Sequence, residues 1–289
     1  MSRKVLITGA NGMLASDLIP LLQDSDFQVY PYTRKELDIS NPDSVDEAMD
    51  QCQPDVLINC AAYTQVDKCE TETEKAFQVN RDALAHLVKG CRRYDTLLVH
   101  ISTDYVFDGR QKTPYHEGDP THPLSVYGQS KLEGEQTIVD SYDSHLILRA
   151  SWLYGILGHS FVKTIIRIAT EREALNIVND QFGSPTHTIN LSKAIIHLLE
   201  RNAKGLYHYS DDGICSWYDF ACEIIEEMKS KGFPLAVKEV NAIATSEYPL
   251  PAVRPQYSLL SKEKYKGTTG LALPHWKDGL KDFFNRYKH

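Results

Sequence analysis

Residues 4–22 read KVLITGANGMLASDLIPLL. A short apolar, β-prone run from Lys4 to Thr8 leads into the turn Gly9-Ala10-Asn11-Gly12, and a helical pattern follows through Leu22. Strand, glycine turn and helix in that order is the context in which a glycine motif marks a dinucleotide site. Gly9 permits the tight turn. Gly12 lets a pyrophosphate approach the helix N-terminus, where free N–H groups and the macrodipole favour anions. The third position of the GxxGxxG spacing is Ala15, still small enough for close packing. Pro20 falls inside the same helix and is expected to kink it or cost it a hydrogen bond.

Outward from this unit, Gln28 to Tyr32 reads as a second strand, with Pro31 pointing to a sheet edge or a strand end. At its end stand Thr33-Arg34-Lys35, where an NAD enzyme would usually carry an acid for the ribose 2′-hydroxyl; Arg34 suits a 2′-phosphate better and favours NADPH. Leu37-Asp38-Ile39 reads as a short extended segment able to flank an adenine, and Asn41-Pro42-Asp43 as a helix start. Asp55 to Cys60 is a buried strand ending in Ala61-Ala62-Tyr63-Thr64, small enough at first to admit a flat ligand over the sheet edge. The helix from Glu72 to Tyr94 carries Asn80, which either faces the cofactor strands or caps the surface. Thr96 to Ile101 is the next strand and delivers Ser102, Thr103 and Asp104 at its end. Phe107 to Ser125 reads as a long loop, commonly a functional feature in compact domains.

Alternation of strand and helix through His145–Ala150 implies a parallel sheet covered on both faces. Beyond Gly155 the alternation loosens: helix 160–172, strand 175–178, helix 191–200, strand 205–210, helix 217–229, a Pro-rich stretch 248–255 and a last helix 277–287. The reading is an α/β, Rossmann-type doubly wound parallel sheet with a smaller C-terminal α/β substrate-binding lobe. Residues 1–155 plus about 181–206 make the dinucleotide-binding domain, and about 156–180 and 207–289 the lobe.

Tyr127-Gly128-Gln129-Ser130-Lys131 places a tyrosine and a lysine four residues apart, on one face of a helix. A free phenol has a pKa of about 10, and a cation at roughly 5 Å in an effective dielectric of about 20 contributes roughly 3 kcal/mol, or about 2 units. Tyr127 is therefore expected to exchange a proton near neutral pH. Such an acid pairs with hydride delivery to a ketone, because the developing alkoxide must be protonated as it forms. Thr103, with Ser102 beside it, is the candidate second hydroxyl on the same oxygen. YxxxK alone arises often by chance; the glycine turn upstream gives it force.

The chain has 289 residues, enough for a large core. With 42% hydrophobic and 24% charged residues it is unlike disordered or fibrous chains. A net charge of -8 argues against general nucleic-acid or membrane-surface binding. Apolar runs such as 55–62 stop short of a membrane span and no leader opens the chain, so a cytoplasmic location is expected. The six cysteines, Cys52, Cys60, Cys69, Cys91, Cys215 and Cys222, form no CxxC pair and are expected to be reduced. Eleven histidines show no metal-ligand spacing, so no catalytic metal is expected.

Gly9-xx-Gly12, Asn59-Cys60-Ala61-Ala62-Tyr63-Thr64, Ser102-Thr103-Asp104-Tyr105-Val106-Phe107 and Tyr127-xxx-Lys131 together resemble the extended short-chain dehydrogenase/reductases. Within them, Arg149-Ala150-Ser151-Trp152-Leu153-Tyr154-Gly155, Phe161-Val162-Lys163, residues 180–186 (DQFGSPT) and Arg254-Pro255 resemble the dTDP-4-dehydrorhamnose reductase family over essentially the whole length. The resemblance implies a catalytic trio of Thr103, Tyr127 and Lys131, with Lys131 holding a ribose while lowering the phenol's pKa. It implies dinucleotide contacts from Gly9, Asn11, Gly12, Met13, Leu14, Asp38, Ile39, Ala61, Ala62, Tyr63 and Thr64, joined by Arg34, Asn80, Tyr127 and Lys131. Asp104, Trp152 and Arg254, with Thr103, would touch the sugar nucleotide, Trp152 as an apolar platform and Arg254 as a diphosphate partner. The implied reaction is reduction of the C4 keto group of a nucleotide-linked 6-deoxyhexose by NADPH, NADH being possible, in a monomer or homodimer.

The chain departs from the family at Ala15 and at Tyr257-Ser258, where an asparagine often precedes the serine. Two other activities fit the same fold. A sugar-nucleotide dehydratase or epimerase is one, but a dehydratase commonly has an acid where this chain has Tyr105, which favours reduction. A reductase-like regulatory subunit is the other, to be told apart by a co-purifying partner and no turnover.

Overall fold

The computed structural model describes residues 2–287; the outermost positions of the two expected domains, 1 and 288–289, lie outside the described residues. Strand β1 (Arg3–Thr8) and helix α1 (Met13–Gln23) flank the glycine turn, followed by β2 (Phe27–Tyr32), α2 (Pro42–Cys52) and β3 (Val56–Asn59). Next come α3 (Ala83–Tyr94), β4 (Leu97–Thr103), α4 (Val126–Val139), β5 (His145–Ala150), α5 (Phe161–Glu171) and β6 (Ala174–Val178). The last long elements are α6 (Thr188–Glu200), β7 (Gly205–Tyr209), α7 (Trp217–Ser230), β8 (Glu239–Ile243) and α8 (Trp276–Arg286).

Six strands form one sheet in the order β2-β1-β3-β4-β5-β7, and every pairing is parallel. Strands such as Val56-Leu57-Ile58 are buried throughout, because both faces of a parallel sheet are covered by helices. One apolar cluster joins Leu14, Ala15 and Leu18 of α1 to Leu191, Ile195 and Leu198 of α6; the other face packs Val45 and Met49 of α2 against Leu84 and Leu87 of α3. The chain leaves β1 for β2 on one side and returns to β3 on the other, so a crevice opens at the C-terminal ends of β1 and β3. Gly9 sits there at φ +65°, and a Cβ on it would lie 3.0 Å from the Ala61 backbone nitrogen, so only glycine fits.

Pro31 lies in β2, the edge strand, as its missing donor requires. Helix α1 runs unbroken through Pro20, which is exposed. Leu37 and Ile39 are not strand residues; both are buried against α2 and α3 with Asp38 between them at the surface. The expected helix from Glu72 to Tyr94 is interrupted by a π-helical turn over Gln78–Asp82 that carries Asn80. Such turns recur at functional sites.

A separate core, including Tyr154, Val162, Ile165, Phe220, Ile224, Trp276 and Phe283, fills the second lobe around α5, α7, α8 and the parallel pair β6·β8. The expected boundary near 206 cuts through β7, which pairs with β5 as the sixth strand of the main sheet. Tyr265, from a short helix Glu263–Thr269, also packs on the main-sheet side. Local pattern could not separate these segments from the lobe. Asp17 on α1 ties the lobes together, accepting from Thr188 Oγ1 at 2.5 Å and Arg286 Nη2 at 3.1 Å.

The long 107–125 connection is pinned at its centre. Tyr115 is buried, stacks on Phe107 at 4.1 Å between ring centroids, and exchanges backbone bonds with Leu259 and Ser261. Among the described residues no helix is long and apolar enough to cross a membrane. All six cysteines are unpaired.

Helix α4 begins at Ser125, whose hydroxyl caps Gly128 N at 3.1 Å. It lies so close to its neighbours that a Cβ at Gly128 would overlap the Tyr105 carbonyl and one at Gly134 the Asn80 carbonyl. Gly134→Ala is therefore expected to lower stability by about 1–3 kcal/mol, read as a lower denaturant midpoint at unchanged m-value.

Candidate active site

Thr103 ends β4 at the same sheet edge as the glycine turn. Its Oγ1 accepts from Tyr105 N at 3.2 Å, donates to Asp104 Oδ1 at 3.1 Å, and stands beside the Tyr127 phenol, whose pKa it lowers. Two expected catalytic hydroxyls are thus in contact, and the Asp104 carboxyl completes a connected group of three. Asp104 is buried, with the Ser258 hydroxyl against it, and desolvation pushes its pKa up to about 6. The departure at Tyr257-Ser258 therefore keeps a polar contact in the cleft.

The expected effect of Lys131 on Tyr127 is not what the structure shows. Both residues lie on α4, but Lys131 Nζ donates to Ile101 O at 2.7 Å and lies 3.0 Å from His100 Nε2. Burial pushes the Tyr127 phenol well above its ordinary pKa, Asp104 and Tyr105 add to the rise, and the Thr103 hydroxyl opposes it. Lys131, nearly inaccessible to solvent, has its own pKa lowered to about 8, chiefly by desolvation. Helical spacing fixes a shared face; it does not say which neighbour an ammonium will choose across it.

The positions expected to hold a dinucleotide stand at the C-terminal ends of β1, β2 and β3. Gly12 caps α1 without a side-chain hydrogen bond, which leaves the first-turn N–H groups of Met13 and Leu14 for an anion, although the Leu14 side chain itself belongs to the core. Asn11 is exposed beside them. Ala61, Ala62 and Tyr63 are half-buried at the end of β3, with Thr64 exposed. Arg34 projects from the end of β2 with 70% of its side chain exposed and only a 3.5 Å contact to Asp38. That exposed guanidinium, the uncapped helix and the close approaches at Gly9 and Gly12 fit a phosphorylated dinucleotide.

Asn80 does not point at that crevice. Its Oδ1 accepts from Tyr63 N at 2.8 Å, and its Nδ2 donates to Tyr63 O and Ser130 Oγ, each at 3.0 Å. Its amide is committed to clamping the β3 end to α4, so any effect on a cofactor passes through Tyr63.

Trp152 has φ +49° and stacks face to face on Trp217, ring centroids 3.5 Å apart, with Gly183 too close to carry a side chain. One face of its indole is therefore taken. Arg254 forks onto Asp67, Nη1–Oδ1 3.1 Å and Nη2–Oδ2 2.7 Å, and also bonds the Tyr105 hydroxyl. The expected diphosphate partner is thus already paired with a carboxylate. Asp67 and Trp217 were not singled out from sequence, since each acts through a neighbour distant along the chain. His100 did leave a signal: a lone polar residue inside the apolar run TLLVHI. Among the described residues no cluster of His, Cys, Asp or Glu is arranged to hold a metal ion.

A family model described as the RmlD substrate binding domain matches residues 3–289. The chain is 41% identical over 253 residues to the dTDP-4-dehydrorhamnose reductase of Escherichia coli K12, covering 86% of this chain and 85% of that one. The chain belongs to the dTDP-4-dehydrorhamnose reductase family. Solved structures agree. The reductase of Bacillus anthracis, in complex with NADP, superposes with a TM-score of 0.94 at 37% identity, covering 99% of both chains. The Clostridium acetobutylicum reductase gives 0.93 at 39%, covering 98% of both.

Because its folded pKa is raised, Asp104 opposes folding most at high pH: its ionised form costs stability as pH rises from the unfolded value of about 4 through about 6. Asp104→Asn is expected to stabilise the protein at pH 8 by on the order of 2–3 kcal/mol. The gain should fade between pH 6 and 4, checked by urea midpoints across that range.

Proposed function

We propose that this protein reduces the C4 keto group of a nucleotide-linked 6-deoxyhexose with NADPH, turning dTDP-4-dehydrorhamnose into dTDP-rhamnose for surface polysaccharide synthesis. The observation that carries the proposal is the contiguous group Thr103, Asp104 and Tyr127, standing at the sheet edge that holds the glycine turn. NADPH supplies the hydride when bound. Gly9, Asn11, Gly12, Met13 and Leu14 would hold its diphosphate, Arg34 its 2′-phosphate, and Asp38, Ile39, Ala61, Ala62, Tyr63 and Thr64 its flanks.

Tyr127 is the acid. With its pKa held up it is fully protonated at working pH, and a secondary alkoxide is a far stronger base than a phenolate, so the phenol gives up its proton as the alkoxide forms. Thr103 orients the carbonyl oxygen through the hydroxyl it shares with Tyr127. Lys131, anchored on Ile101 O, is the remaining member of the expected catalytic trio beside Thr103 and Tyr127. The lobe carrying Trp152's neighbour Trp217, together with Arg254, receives the sugar nucleotide. Any diphosphate reaching Arg254 exchanges with, or bridges beside, Asp67. Tyr105, in the place where a dehydratase would carry an acid, is spent on Arg254, which favours plain reduction. A cytoplasmic location and a monomer or homodimer acting on a small molecule belong to the same proposal.

NADPH oxidation assayed with dTDP-4-keto-6-deoxy-L-mannose tests the reading; no turnover of this or its epimers would overturn it. Tyr127→Phe is expected to cut kcat by about a hundredfold or more, and unchanged turnover would remove Tyr127 from the mechanism. Arg34→Ala should raise KM for NADPH while leaving that for NADH nearly unmoved, as measured by initial rates with each.

A further inference from the structure

The two stacked tryptophans are held in different ways. Trp152 follows β5 by two residues, and Ala150 at the end of that strand pairs with Thr103, so Trp152 stands at the same sheet edge as the reacting hydroxyls. Its indole lies parallel to that of Trp217, ring centroids 3.5 Å and planes 7° apart. Trp217 is the first residue of α7, set in place by reciprocal capping between Ser216 and Asp219, and Phe161 packs on it at 4.6 Å between centroids.

Trp217 is anchored within its plane as well as across it. Its Nε1–H donates to Gln181 Oε1 at 3.1 Å. An indole nitrogen only donates, so the Gln181 amide turns its oxygen to Trp217 and its NH2 to Thr245 Oγ1, 3.0 Å away. Thr245 gives its own hydroxyl proton to Asp180 Oδ1 at 2.5 Å, and its backbone N–H reaches both oxygens of that carboxyl at 3.0 Å. Each proton on this path has one place. Trp152 has no such anchor. Among the described residues its Nε1–H finds no hydrogen-bond partner, and its backbone sits at φ +49°, which bulky side chains rarely adopt. Its ring is held by packing, with Trp217 on one face and Gly183 so near that a Cβ there would come within 2.8 Å of Cε2 and 2.9 Å of Nε1.

We propose that Trp217 is a positioning residue for the sugar: by fixing the plane of Trp152 it sets the angle at which a deoxyhexose lies across the other indole face and presents its keto carbon to Thr103 and Tyr127. The inference rests on the reading that Trp152 receives the sugar. The parallel stack fixes tilt, the bond to Gln181 fixes rotation, and Thr245 begins the segment that carries Arg254. Contact between a sugar and an indole is made through C–H bonds and depends on how the two rings are aligned, so a platform free to rock loses contact energy and aim together.

The test is a double-mutant cycle read by calorimetric binding of dTDP-rhamnose and by initial rates with NADPH. Trp217→Phe is expected to weaken dTDP-rhamnose binding and to lower kcat/KM for the keto sugar nucleotide, each by about fivefold or more, with KM for NADPH unmoved. In a Trp152→Leu background the same change should cost nothing further, because its effect passes through Trp152. Equal affinity in wild type and Trp217→Phe, or losses that add in the double variant, would overturn the inference. Gly183→Ala pushes on the Trp152 ring itself and should reproduce the loss. If Trp217→Phe does not fold, Gly183→Ala decides, and an unchanged affinity there counts against the inference. A wild type that binds dTDP-rhamnose but turns over no keto sugar overturns the proposed reaction alone, with the platform still judged by binding; a wild type that binds none overturns both.

Discussion

A lysine with 1% of its surface exposed is tolerated only if its nitrogen finds partners or gives up its charge. Lys131 finds the Ile101 carbonyl, its pKa is lowered to about 8, and much of the structure around the cleft serves that arrangement. Helix α4 must approach β4 closely enough for Nζ to reach the Ile101 carbonyl, which is why Gly128 and Gly134 present no side chain to their neighbours. The π-turn at 78–82 brings the Asn80 amide to Ser130, fastening the helix from its other side. The placement of Tyr127 and Lys131 along α4 is thus the outcome of packing against three separate segments.

The two lobes divide the work differently. The parallel sheet supplies rigid strand ends, from which Thr103 and Asp104 project with little freedom. The second lobe contributes broad aromatic surface, Trp152 on Trp217 on Phe161, and reaches back to the first through Asp17 and Arg286. Arg254 makes a further crossing by way of Asp67. The Arg254–Asp67 pair is a guanidinium fork, whose planar geometry fixes direction as well as distance, whereas Arg286 reaches Asp17 through one nitrogen.

Sequence revealed what is local. Glycine turn, edge strand at Pro31 and the shared face of Tyr127 and Lys131 all follow from neighbours within a few residues. What escaped depends on contacts far apart in the chain. Nothing near Asn80 announces a π-turn or tells its amide to seek Tyr63. β7 has the same local pattern whether it closes the main sheet or opens a new lobe, and only pairing with β5 decides it. The direction of the Lys131 amine depended on His100, whose significance could be noticed but whose partner could not. The tyrosine's raised pKa follows from burial, a quantity that spacing does not carry.

A connection fastened at its middle behaves as two short ones. Tyr115, wedged under Phe107 and bonded to the 259–261 segment, divides the 107–125 span in this way. Chain entropy that a free span of that length would retain was surrendered when the protein folded. A partner that touched this span would have little ordering cost to offset there, so more of its contact energy would remain as affinity.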